Sequence, residues 1–201
     1  AIVSISVNLK EHENRSDMKC WLSENDVEDL IKTADGTERQ IAFALAARCG
    51  LRSHEVLDVA PDDVVSTDAG QMLKIEHGKG DKYRETPIPS QLATRIETVD
   101  DVRSESSSSS ILSVTSTQAL RKWIKRTRAK CADKTGDDRW KHVSMHDLRR
   151  TWATNLGSQD VDPLIVIDWG GWSELEACLE HDRGTYSPEA ERRERGKVDW
   201  L

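Results

Sequence analysis

The chain has 201 residues, 36% hydrophobic and 32% charged, with a formal net charge of −7 and a pI near 5.4. That length suits one sizeable domain, or one and a half, with a proper core, and no apolar run approaches the roughly 20 residues that a membrane-spanning helix needs. Four cysteines and six histidines fall into no CxxC, zinc-spaced cluster or HExxH, so no metal is expected, and reduced thiols point to a cytoplasmic protein.

In chain order, residues 1–20 begin with the alternating IVSISVNL and turn polar in KEHENRSD. They read as a strand or linker ahead of the folded body. The start at Ala1, with no charged-then-apolar leader, suggests a fragment without a secretory signal. From residue 21 the pattern turns helical: Ser23 and Asp26 have capping-box spacing, followed by Val27, Leu30 and Ile31. A second helix over about 37–49 turns Ile41, Leu45 and Ala46 inward and stops at Gly50, and Ser53 is placed to cap a short third helix, SHEVLDV.

QMLKIEH and YRETPIP flank GKGDK, which predicts a β-hairpin with two glycines at its tip. Residues 90–102 read as a helix, and SESSSSS after them as a flexible loop, hinge or surface excursion without core-forming content. Residues 117–130 place Leu120, Trp123, Ile124 and Thr127 on one helical face and Arg121, Lys122, Lys125, Arg126 and Arg128 around the other. Further helices are expected near Met145, at Asp162-Pro163, and from 173 onward. The fold class is therefore mainly α with a small antiparallel β-hairpin, strands being expected only there and near the N-terminus.

Acidity is the wrong sign for a nucleic-acid binder, but phosphate contact depends on local clustering of Lys and Arg. The acid is concentrated in ENDVED and PDDVVSTD, whereas 121–130 is basic. An acidic, lysine-poor surface also suits proteins that work in concentrated salt.

Four separated pieces carry the chemistry: GLRSHE at 50–55, HGKGDK at 77–82, HDLRR at 146–150, and GGW at 170–172 with Tyr186 behind it. In this order, over residues 21–190, the set resembles the catalytic domain of the tyrosine recombinases, the phage integrase family. The resemblance implies that family's catalytic-domain fold over residues 21–201, with 1–20 as a linker or remnant and the N-terminal core-binding domain absent. It implies site-specific DNA strand cleavage and rejoining through a covalent 3′-phosphotyrosyl intermediate, with no cofactor and no small-molecule substrate. Double-stranded DNA and further copies of the chain, assembled on that DNA, would be the partners. An archaeal, salt-loving relative is the nearest expectation.

Roles follow from the same resemblance. Arg52, Arg149 and Trp172 would hold the phosphate, His146 would act as base, Lys79 as acid, with Lys82 as its competitor, and Tyr186 as nucleophile. Metal-free phosphodiester cleavage needs cations on the non-bridging oxygens, and the planar fork of arginine suits that task. His146 and Arg149, three apart on a helix, would share a face. Arg150, with Lys82, Arg121, Lys122, Lys125 and Arg126, is assigned to solvent or the DNA backbone. Each residue has a plainer reading: an Arg52–Glu55 ion pair, a solvated GKG turn, a capping histidine, a core tryptophan, a solvated basic face.

The departure lies in the tyrosine. Where much of the family would place it nearer Trp172, this chain has His181-Asp182. Either Tyr186 attacks from a longer arm, or the slot at Asp182 is lost and the domain binds DNA without cutting. Tyr83 is a third, poorer nucleophile, and an unrelated acidic helical domain is the remaining alternative.

Overall fold

The computed structural model describes residues 7–11, 18–76, 83–103, 106–173, 193, 195 and 196. Among these residues are seven α-helices, one two-stranded sheet and one three-stranded sheet, both antiparallel. The mainly helical class predicted from the sequence is what is found.

The packing is organised around α2 (Thr37–Cys49), in which Ile41 through Ala47 and Cys49 are all buried. One inward face was expected, but the alanines at 42, 44, 46 and 47 let neighbouring helices approach from several sides, so the helix is apolar nearly all round. It ends at Gly50, whose φ of +70° is the left-handed conformation that glycine adopts without penalty. A Cβ there would lie 2.4 Å from the Trp152 ring, so the position also has no room for a larger residue. α1 (Glu24–Thr33) opens with the expected capping box of Ser23 and Asp26.

β1 (Val7–Glu11) and β2 (Met18–Leu22) pair antiparallel, with Val7 opposite Leu22, and both of these side chains belong to the main core. Two β2 amides are taken up by α6 (Met145–Ser158): Cys20 donates to the Asp147 carboxylate at 3.0 Å and Leu22 to the Thr151 hydroxyl at 3.0 Å. A helix thus satisfies donors that the strand would otherwise leave exposed. The boundary expected at residue 20 cuts through this hairpin.

In the second sheet the order is β3 (Val64–Thr67), β4 (Gly70–Ile75), β5 (Arg84–Pro87). β4 and β5 are the two arms of the expected hairpin, Met72 facing Pro87 and Ile75 facing Arg84. Its tip, residues 77–82, lies outside the described residues. β3 was not foreseen. It is a four-residue edge strand with an exposed outer half inside an acidic stretch, too short and polar to show an alternation of its own.

α3 (Ser53–Asp58) has Arg52, not Ser53, at its N-cap, so the cap expected at Ser53 is displaced by one residue. Then come α4 (Ser90–Val102), α5 (Thr117–Thr135) and α7 (Pro163–Gly170). α5 buries Leu120, Ile124 and Thr127 as predicted and runs past residue 130 to a glycine cap at Gly136. α7 begins as expected, with Asp162 capping and proline at its first turn. The helices expected from 173 onward lie outside the described residues, apart from helical positions at Arg193 and Arg195.

Part of the serine tract is more tightly tied than a flexible loop. Arg103 donates to the carbonyls of Ser106, Ser109 and Ser110 and to the Asp100 carboxylate, and the Ser110 hydroxyl donates to the Leu57 carbonyl at 2.5 Å. A guanidinium supplies the donors that the tract lacks apolar side chains to replace.

Candidate functional site: an arginine corner at the end of the seventh helix

The last carbonyls of any helix lack intrahelical donors, and the helix dipole makes that end attractive to cations. At the end of α7 three arginines from three separate segments answer this need on successive residues. Arg84 Nε donates to the Trp169 carbonyl at 2.9 Å, Arg149 Nη2 to that of Gly170 at 2.7 Å, and Arg52 Nη2 to that of Gly171 at 3.4 Å. Arg149 donates in addition to the carbonyl of Gly50, tying the end of α2 to the end of α7. Two of the four separated sequence pieces, GLRSHE and HDLRR, therefore meet at a further one, GGW.

Both glycines of GGW are needed for space. Gly171 caps α7 at φ +63°, and a Cβ on it would approach Arg84 Cδ to 2.8 Å. A Cβ on Gly170 would fall 1.8 Å from the Trp172 ring. That ring folds back over the helix end, stacks on Trp152 with centroids 5.9 Å apart, and lies 4.2 Å from the Arg149 guanidinium carbon. Cation–π attraction and burial both favour this layering. It leaves Arg149 wholly buried.

Glu55, buried to 2% exposure, organises the other two arginines. Its Oε1 accepts from Arg52 Nη1 at 3.0 Å and Arg84 Nη1 at 2.7 Å; its Oε2 accepts from Arg84 Nη2 at 2.8 Å and from the Arg52 backbone amide at 2.7 Å. Burial pushes the Glu55 carboxyl up, but the Arg84 hydrogen bonds and charge, with those of Arg52, overcome it and hold the group down to about 2. The carboxylate thus stays ionised between two cations. The plain alternative for Arg52, an ion pair with Glu55, is present, but it is one bond of a larger fork and leaves the Arg52 side chain 17% exposed.

His146 stands in the first turn of α6 and is exposed, whereas Arg149 three residues on is buried, so the two occupy the same helix at very different depths. Lys79, Lys82, Tyr186 and the His181-Asp182 slot lie outside the described residues. Tyr83 is 56% exposed beside Glu85, to which its hydroxyl donates.

Arg150 corrects the sequence reading. Assigned to solvent or the DNA backbone, it is 1% exposed and paired with the Asp147 carboxylate. α6 is enclosed on more than one side, and Asp147 also accepts from the Cys20 and Ser144 amides, so the buried cation lies beside a fully engaged anion. The other basic candidates, Arg121, Lys122, Lys125 and Arg126, are exposed on α5 as expected.

Arg84 was not singled out from the sequence, and Glu55 only as the partner of a surface pair. A signal existed. In YRETPI the buried positions are Arg84, Thr86 and Ile88, so strand alternation places an arginine in phase with the inward set, and a buried arginine requires acceptors nearby.

The phage integrase family profile matches residues 20–180. The chain belongs to that family. This integrase-family chain is 26% identical over 179 residues to tyrosine recombinase XerA of Thermococcus kodakarensis, covering 88% of this chain and 62% of that protein. It therefore spans less than two thirds of the relative's length. Among solved structures, XerA recombinase superposes with a TM-score of 0.71 at 19% identity, over 94% of this chain and 67% of that one. XerH recombinase bound to palindromic difH substrate, a post-cleavage complex, gives 0.67 at 18% identity over 90% and 52%. The catalytic domain of bacteriophage HP1 integrase gives 0.57 at 15% identity over 90% and 95%. These likenesses establish the fold of a tyrosine recombinase catalytic domain.

Proposed function

We propose that this chain is the catalytic domain of a site-specific DNA recombinase that cuts and rejoins strands through a 3′-phosphotyrosyl link. The observation that carries this reading is the convergence of Arg52 and Arg149 on the neighbouring carbonyls of Gly171 and Gly170, with Trp172 against Arg149. Arg52, partly exposed, and Arg149, buried behind the Trp172 ring, are cations that cannot be deprotonated, and held on one helix end they would form a cup for the two non-bridging oxygens of a phosphodiester once Arg149 is uncovered. The DNA-bound XerH relative supports the substrate class.

In the proposed reaction the Tyr186 oxygen attacks phosphorus and its proton passes to His146. The bond from phosphorus to the 5′ oxygen breaks, and Lys79 protonates that oxygen as it leaves. The phosphotyrosyl bond keeps the energy of the broken linkage, so rejoining is the reverse attack by a 5′ hydroxyl, with no ATP. Arg52 is already partly open. Arg149 comes into reach of the phosphate when Trp172 turns off its face, after which the indole N–H can donate to a phosphate oxygen. The exposed face of α5 contacts the DNA backbone through Arg121, Lys122, Lys125 and Arg126, and copies of the chain assemble on the duplex. Residues 21–201, with the β1–β2 hairpin that packs into the same core, are the catalytic unit, acting in the cytoplasm.

Incubating the full-length protein with nicked suicide duplexes of randomised core sequence should trap a covalent adduct that Tyr186→Phe abolishes. An adduct that survives Tyr186→Phe removes that nucleophile, and DNA binding with no adduct from the wild type identifies a relative that binds without cutting.

A further inference from the structure

Arg84, which has no role in the proposed reaction, joins two sides of the corner. Its two terminal nitrogens fork onto both Glu55 oxygens at 2.7 and 2.8 Å, and its Nε reaches the Trp169 carbonyl at 2.9 Å. The Glu55 it grips holds Arg52 by both guanidinium and backbone amide. The carbonyl it grips is three residues before Trp172, and its Cδ fills the space that a side chain on Gly171 would need. Arg84 is also the first residue of β5, two positions beyond the 77–82 segment that contains Lys79.

We propose that Arg84 is the positioning residue of this site: one buried guanidinium that sets Arg52, through Glu55, and Trp172, through the end of α7, in register on a single phosphate. The proposal rests on the DNA-cleavage reading above for what the register serves, but the register itself is a separate claim. Arg84 is 7% exposed and its three donor nitrogens are occupied within the protein, so it acts on its neighbours and does not touch the substrate. Lysine cannot replace it: one ammonium on a flexible stem keeps the charge but not a planar fork spanning a carboxylate and a carbonyl. Catalytic groups displaced by about 1 Å can lose on the order of 100-fold in rate.

The test uses the full-length protein with Arg84→Lys and Arg84→Gln, read in two ways. In single-turnover assays Arg84→Lys should form adduct at least 100-fold more slowly while DNA affinity stays within threefold. In ¹H–¹⁵N spectra the Arg52 Nε–H and Trp172 indole N–H signals, assigned with Arg52→Lys and Trp172→Phe, should both move while amides of the α2 core stay in place. Adduct formation within threefold of wild type, or unmoved Arg52 and Trp172 signals in either folded variant, overturns the proposal. Loss of fold in both variants overturns it too, since the role is then bulk stability. If the wild type itself forms no adduct, the cleavage reading fails and the spectra alone decide the register.

Discussion

Around α2 no side chain from Ile41 to Ala47 is more than 6% exposed, whereas α7, packed against α6 and β5, leaves Leu164 67% and Ile165 43% exposed. The first region is held by close apolar packing, which is non-directional and tolerant of small shifts. The second is an eight-residue helix whose end is held by guanidinium groups on carbonyls and by a Trp–Trp–Arg stack. Among the described residues the buried members of its small satellite cluster are Trp152, Ala153 and Val166. Directional bonds fix angles that apolar contact leaves loose, so the corner gains geometry at the expense of robustness. The proposed role of presenting cations to a phosphate calls for that geometry, and the α2 core supplies the stability against which it is held.

Substitutions can separate the two regions. The largest effect belongs to the core: Leu45→Ala, at a position with no exposure, should cost about 4 kcal/mol in denaturant unfolding and melt both regions together. Glu55→Gln strips the corner of its anion and should cost about 3 kcal/mol at neutral pH. The sign of its pH dependence is fixed by the depressed carboxyl. The Glu55 contribution is complete above the unfolded value near 4.5 and is lost as pH falls towards about 2. Wild-type stability should therefore decline through that window more steeply than that of Glu55→Gln; parallel curves would mean that Glu55 is not clamped.

Gly171→Ala should cost about 2 kcal/mol, from its left-handed backbone and its contact with Arg84. The loss should appear as faster amide exchange in α7 with exchange in α2 unchanged. Equal acceleration in both would dissolve the distinction between the regions. Smallest of all, Ser144→Ala removes the hydroxyl that caps α6 and should cost about 1 kcal/mol by thermal melting.

Much of the scaffold was legible because it depends on local chemistry. Ser23 with Asp26, Gly50, Asp162-Pro163 and the arms around GKGDK mark their elements within a few residues of chain. β3 and the Arg103-bound serine tract were not, because an edge strand and a polar loop take their order from partners elsewhere. Arg150 shows the same limit in a helix. Its neighbours suggest a basic exposed surface, but enclosure of α6 by α2 and β2 puts it inside, against Asp147.

By itself the sequence determined the helical class and the positions of most elements, since periodicity, caps and turns act over a turn or two of backbone. Tertiary structure alone decided that Arg52, Arg84 and Arg149 end on three successive carbonyls and that Glu55 joins two of them. A guanidinium can be satisfied by any acceptor within reach, and which acceptor that is depends on where the helices cross. No local pattern records it.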